Sequence, residues 1–205
     1  MTDPVNIASQ LSVVATEHPS RPSVISRGAV LSYRDLEEQS NQCALGLQHY
    51  GVQKGTRVVM MVRPGIEFMT ISFALAKLGA IAVFVDPRMG RQNVSRCVAE
   101  VRPDGFIGSL QAHIARVALG WTSDTAPLCI NVSRVSIPRT LKYEQVLRKG
   151  RLTRLSDSGL VDLDQPAAVV FTSGSTGVPK GVVYTHRMFS AQAALLADHF
   201  GIQSG

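Results

Sequence analysis

Cysteine is nearly absent: Cys43, Cys97 and Cys129 are the only three in 205 residues, and none stands in a C-x-x-C spacing. Neither a disulfide framework nor a zinc site is therefore suggested, and the three read as reduced core residues. Aromatic residues make up 6%, with one tryptophan, and charged residues only 18%. Set beside 45% hydrophobic residues, that low charge excludes a disordered chain or a coiled coil. Long apolar runs are missing as well. The most apolar window, residues 66–85, is broken by Glu67, Lys77 and Gly79, so it reads as a helix followed by a strand and no transmembrane segment is expected. Met1, Thr2, Asp3 and Pro4 form no basic leader ahead of an apolar stretch. The expected compartment is the cytoplasm.

Charge of one sign is modestly in excess: 21 Lys+Arg against 15 Asp+Glu gives +6 and a pI near 9.6. This favours anionic partners without naming one. The basic residues are scattered, and only Arg148, Lys149, Arg151 and Arg154 lie close together. No aromatics interleave there to stack bases, so the stretch reads as a solvated loop and no nucleic-acid partner is expected.

What is present is an alternation of strand and helix patterns. Asp3 and Pro4 can open a first helix running to about Glu17, with Ile7, Leu11 and Val14 on one face. Ser23–Ser26 and Val30–Leu31 flank Arg27-Gly28-Ala29 as a hairpin. Ser32 stands three residues before Asp35 in capping-box spacing, and the helix it opens is expected to stop at Gly51. Strands are expected at 58–62, 81–85, 105–108 and 128–132, with helices at 65–79, 91–101 and 112–119 between them. Such repetition predicts an α/β fold, a parallel-rich sheet with helices on both faces. The polar stretch at about 149–166 reads as a connecting loop that divides a first α/β part, about 1–148, from a segment at 167–205. That last segment holds strands at 167–171 and 182–184 and a helix from His186 to His199.

Between those two strands runs Thr172-Ser-Gly-Ser-Thr-Gly-Val-Pro-Lys-Gly181, with three glycines, four hydroxyls and one lysine in ten residues. Glycines let backbone N–H groups converge on an anion, the hydroxyls add donors, and Lys180 adds a mobile positive charge. A flexible Gly/Ser linker has no need of Pro-Lys-Gly set against a β-branched strand. A Walker loop would follow its lysine with Ser or Thr and open a helix, whereas Lys180 is followed by Gly181 and a strand. No G-x-G-x-x-G occurs, which removes the dinucleotide reading. His18, His49, His113 and His199 show no ligand spacing. His186 and Arg187, close to the loop in sequence, read as capping or packing residues ahead of substrate contacts.

T-S-G-S-T-G-x-P-K-G resembles the phosphate loop of the adenylate-forming (AMP-binding) superfamily. Leu31-Ser-Tyr-Arg-Asp-Leu36 resembles that family's L-[ST]-Y-x-E-L, with Asp35 in place of Glu. Leu75-Ala-Lys-Leu-Gly-Ala80 followed by Val85-Asp-Pro87 is similar to its helix–glycine–strand segment. Within the family the sequence is most similar to fatty acyl-CoA ligases and to the β-lactone synthetases of olefin biosynthesis. The likeness to the latter lies at Asp86–Arg91, Cys97, Phe106–Gly108, Ala112-His113 and Gly181–His186.

The resemblance implies ATP-dependent activation of a fatty, 3-hydroxy or plain, carboxylic acid as acyl-adenylate. Thr172, Ser173, Gly174, Ser175, Thr176, Gly177, Lys180 and Gly181 would cradle the phosphates, with Mg²⁺ sharing their charge. The second step leans to β-lactone formation; the alternative is transfer to CoA, and a further alternative is a noncatalytic nucleotide-binding remnant. Family members are two to three times longer, and nothing here resembles their adenine-binding, ribose-binding or C-terminal lysine elements. The chain is therefore expected to be an N-terminal portion, inactive alone, with no catalytic side chain of its own. Exposed apolar surface is expected to support a homo-oligomer.

Overall fold

Val58, Val59, Met60 and Met61 are all buried, although successive strand side chains point to opposite faces of a sheet. A strand of that kind must be covered on both sides. The computed structural model describes residues 6–121, 128–152, 162–172 and 179–202, and in it this strand, β3 (Arg57–Met61), lies in the middle of a seven-stranded sheet. An antiparallel hairpin precedes it, β1 (Pro22–Ser26) with β2 (Ala29–Ser32). The remaining strands are β4 (Ile81–Phe84), β5 (Gly105–Gly108), β6 (Leu128–Asn131), β7 (Leu141–Lys142), β8 (Pro166–Thr172) and β9 (Lys180–Thr185). Their order across the sheet is β7-β6-β5-β3-β4-β8-β9, and every pairing is parallel except β8 with β9.

Seven helices accompany the strands among the described residues: α1 (Ile7–Glu17), α2 (Tyr33–His49), α3 (Ile66–Lys77), α4 (Arg91–Val101), α5 (Leu110–Ala118), α6 (Tyr143–Leu152) and α7 (His186–His199). The alternation along β3 sorts them. Val58 and Met60 face α2, α3 and α6, packing with Leu47, Leu75 and Val146. Val59 and Met61 face α4 and pack with Val94, Cys97 and Val98, which recur at helical spacing. The expected α/β fold, with a mostly parallel sheet and helices on both faces, is thus what the sequence forms.

Local signals set the helix ends. Ser32 Oγ accepts from Asp35 N at 3.1 Å while Asp35 Oδ2 accepts from Ser32 N at 3.3 Å, so the capping box of α2 is complete. Helix α1 begins behind Asn6, whose Oδ1 accepts from Ala8 N at 3.0 Å. The expected start at Asp3 and Pro4 falls outside the described residues. All three cysteines are buried thiols outside any disulfide, and burial pushes the Cys43 thiol up to about 12, which keeps it unreactive. The window at 66–85 divides into α3 and β4, and no helix among the described residues is long and apolar enough to cross a membrane.

One expectation needs correction. Residues 149–152, read as the start of a connecting loop, are the last turn of α6, so Arg148, Lys149 and Arg151 lie on a helix. Arg154 lies outside the described residues. The reason is tertiary. Helix α6 crosses α2 with glycines at the contact, so close that a Cβ on Gly150 would meet the Gln42 carbonyl oxygen and one on Gly46 the Val146 carbonyl oxygen.

Candidate phosphate-binding site

Residues 173–178 lie outside the described residues, and with them Ser173, Gly174, Ser175, Thr176 and Gly177; the two strands that frame them do not. Strand β8 pairs in parallel with β4, its Val170 beside Phe84, and therefore ends at the carboxyl edge of the sheet. That edge is where open α/β sheets hold ligands. Strand β9 returns antiparallel, with Thr172 opposite Lys180 and Phe171 opposite Gly181. Thr172 and Lys180 are exposed, and the Lys180 side chain makes no hydrogen bond or ion pair among the described residues. No described side chain competes with an anion for its ammonium group.

The neighbouring positions hold that frame. Pro179 and Phe171 are buried. The Phe171 ring lies over Gly181, where an added Cβ would stand 3.2 Å from Phe171 Cε1 and Cζ and 3.2 Å from Val169 Cγ1. Gly181 is thus small because an aromatic ring needs the room, a packing reason beside the one the sequence suggested.

His186 and Arg187 are carried away from this place. They follow β9, and six residues at about 3.3 Å each put them roughly 20 Å from Lys180. Thr185 caps α7, its Oγ1 accepting from Met188 N at 3.2 Å. Arg187 makes a two-pronged ion pair with Asp164, at 2.7 and 2.9 Å, which holds the Asp164 carboxyl below the usual carboxylate range. His186 is fully buried, neither ring nitrogen has a partner, and burial lowers its pKa. Packing is its role. His113 is equally buried but satisfied: Nε2 meets the Ile130 carbonyl at 2.9 Å and Arg116 Nε donates to Nδ1 at 3.3 Å, a pair of bonds that requires the neutral ring with its proton on Nε2.

Two further hollows flank the frame. A crevice of about 490 Å³ opens at the carboxyl ends of β3, β4 and β5, between Arg63, Pro64, Pro87, Ser109 and Trp121. Its rim at Asp86–Arg88 is a 3-10 turn at Pro87–Met89 stiffened by the Arg88 guanidinium on Asp86, at 3.0 and 3.1 Å. A second groove, about 340 Å³, is walled by Phe68, Phe73, Phe84 and Phe189 and has no charged side chain in its lining. No cluster of three or more His, Cys, Asp or Glu side chains able to hold a metal exists among the described residues.

Residues 11–204 match the family model described as AMP-binding enzyme. The chain belongs to that family. It is 40% identical to an olefin β-lactone synthetase of Stenotrophomonas maltophilia and 38% identical to one of Xanthomonas campestris, in each case over 100% of this chain. It spans 39% and 38% of those two relatives' lengths. Among solved structures it is similar to a long-chain-fatty-acid-CoA ligase from Archaeoglobus fulgidus, with a TM-score of 0.81, 17% identity, and 98% of this chain covering 40% of that one. That last likeness is one of fold. The AMP-binding family expected from the phosphate-loop motif and the mostly parallel sheet expected from the strand–helix alternation are therefore both established.

Proposed function

We propose that this chain supplies the phosphate-binding part of an ATP-dependent enzyme that activates a fatty carboxylic acid as its acyl-adenylate. The observation that carries the reading is the exposed Lys180, without a partner among the described residues, facing Thr172 at the carboxyl edge of the sheet, at the two ends of a glycine- and hydroxyl-rich stretch. In the proposed step a carboxylate oxygen attacks the α-phosphorus, the bond to the bridging oxygen breaks, and pyrophosphate departs with the electron pair. Negative charge grows on that leaving group. Lys180 and the hydroxyls of Thr172, Ser173, Ser175 and Thr176, with backbone N–H groups at Gly174, Gly177 and Gly181, are the groups of this chain suited to receive it.

Mg²⁺ would share with these groups the charge growing on the departing pyrophosphate, and no step is routed through it. For the second step we favour attack by the substrate's own β-hydroxyl, giving a β-lactone. The 40% identity to an olefin β-lactone synthetase over the whole chain supports that choice. Transfer to CoA is the second reading, supported by the fold shared with a long-chain-fatty-acid-CoA ligase.

The 205 residues alone are proposed to bind ATP weakly through its phosphates and not to turn over, because carboxylate and adenine must be positioned as well. Strand β9 is a sheet edge that exposes Val182 and Val183, and α7 exposes Leu195 and Leu196, so self-association through this rim is part of the proposal. Pyrophosphate exchange with a panel of fatty acids tests the first step, and robust exchange by the 205-residue chain would overturn the claim that it is inactive alone. The sequence carried at the full length of its relatives, given ATP, Mg²⁺ and a 2-alkyl-3-hydroxy fatty acid, should release a lactone without CoA. Product only in the presence of CoA selects the second reading.

A further inference from the structure

We propose that the hollow between the 132–140 loop, β7 and the first turns of α6 is a second anion site, built for a multiply charged phosphate chain. Arg134, Lys142 and Arg148 line a space of about 530 Å³ together with Glu144 and Gln145. Three cations thus face one carboxylate. None of the three cationic side chains makes a hydrogen bond or ion pair among the described residues.

Each cation comes from a separately fixed piece of backbone. Asn131 ends β6, is fully buried, and pairs in register with Lys142. Its Oδ1 accepts from Ser133 N at 2.8 Å and Ser133 Oγ at 2.6 Å, and its Nδ2 donates to the Val135 carbonyl at 2.6 Å. The loop is therefore pinned on both sides of Arg134. Lys142 N donates to Gln145 Oε1 at 2.8 Å, which ties β7 to the start of α6. Arg148 follows Gln145 by three residues and shares its helix face.

The same helix divides the basic stretch noted in the sequence. Arg151 turns to α2, its Nε donating to Gln42 Oε1 at 3.1 Å, while Arg148 turns to the hollow. Like charges gathered on pinned backbone repel one another until a counter-charge joins them, and a monoanion leaves such a set under-neutralised. A pyrophosphoryl or longer phosphate chain fits both the charge and the volume, which falls in the range of small-molecule sites.

This place is distinct from the phosphate loop. Both lie at the carboxyl edge of the parallel strands, but β7 and β8 are five strand spacings apart, about 24 Å across the sheet. The inference accordingly stands or falls independently of the acyl-adenylate reading.

Inorganic tripolyphosphate titrated calorimetrically into the 205-residue chain carrying Lys180→Ala tests it, since that background silences the loop lysine. Binding should persist, weaken about tenfold or more with either Arg134→Ala or Arg148→Ala, and weaken further from 50 to 300 mM salt. Arg148→Lys, which keeps the charge, should restore part of the loss and so separates charge from packing. ATP run in parallel distinguishes the source: tighter tripolyphosphate points to a free phosphate chain, tighter ATP to the tail of a nucleotide, and either outcome requires the same arginine dependence. Loss of all binding with Lys180→Ala, or binding indifferent to both arginine substitutions in folded variants, would overturn the proposal.

Discussion

Thr172, the last residue of β8, lies directly opposite Lys180, the first residue of β9, in an antiparallel ladder. Opposed residues of such a ladder project from the same face, their Cα atoms about 4.5–5.5 Å apart. A hydroxyl and an ammonium group thus leave the sheet together at the mouth of the loop, and the register that puts them there is held from below by Phe171 against Gly181.

Lys180→Ala should weaken ATP binding by roughly ten- to a hundredfold, the weight of one hydrogen bond to a charged group. The melting temperature should not move, because Lys180 is exposed and holds no partner among the described residues. Equilibrium dialysis beside a thermal melt checks both halves, and a large drop in stability would reassign the lysine to the fold.

A second prediction concerns the junction of α1, α2 and α3. Lys77 Nζ meets Glu37 Oε2 at 2.7 Å and Asn41 Oδ1 at 2.6 Å, while Ser12 Oγ donates to Glu37 Oε1 at 2.8 Å. The ion pair is largely covered, with side-chain exposures of 12% and 19%, and desolvation lowers the lysine pKa against the pull of Glu37. Lys77→Ala strands a half-buried carboxylate and should cost about 1–3 kcal/mol, somewhat less than a fully buried pair would. Adding Glu37→Gln should recover part of that loss in urea unfolding; two strictly additive losses would mean that the pair is not coupled.

Most of the sheet was legible in the sequence because β3, β4, β5, β6 and β8 are short apolar runs and the helices between them carry apolar residues at helical spacing. The loop motif was legible because few arrangements call for glycine, hydroxyls and lysine so close together. Helix α6 was not. Lys149-Gly150-Arg151 reads as a loop, since glycine inside a helix costs about 1 kcal/mol relative to alanine, and its reason for being there is a backbone contact with α2 that no local pattern reveals. Strand β7, two residues long, has no periodicity to read. His186 and Arg187 read as capping or packing residues despite their nearness to Lys180 in sequence, and β9 running straight between them gives the physical reason.

Stability should fall as pH drops from about 7 to 5.5. His113 and His186 are both fully buried, and burial lowers the pKa of each below its ordinary value near 6.5, outweighing for His113 the Ile130 carbonyl that favours its charged form. The unfolded chain therefore binds more protons than the folded one in this window. The contribution is neutral above about 6.5, turns unfavourable as pH falls, and levels off below the folded pKa values. Melts at pH 7.5 and 5.5 should differ in that direction, and His186→Gln should shrink the difference; an unchanged pH slope in that variant would exclude His186 as a source.

The contact between Gly150 and Gln42 sets two effects of opposite sign against each other. On an exposed helix Gly→Ala gains about 1 kcal/mol of helix propensity. At Gly150 a methyl group would run into the Gln42 carbonyl oxygen, stand 2.7 Å from the Gln42 carbonyl carbon, and reach 3.0 Å from Gly46 N. These are backbone atoms, which no rotamer change moves, so α6 would have to lift from α2 and lose the packing of Val146 and Tyr143 against Cys43 and Leu47. Forced displacement in a packed core costs typically 1–3 kcal/mol and sometimes more, so Gly150→Ala should lower the urea midpoint despite the propensity gain. Gly46→Ala, which would press on the Val146 carbonyl oxygen, should act the same way. An unchanged m-value with a lower midpoint would place the loss in the native state, whereas a raised midpoint for Gly150→Ala would show that the two helices do not meet this closely.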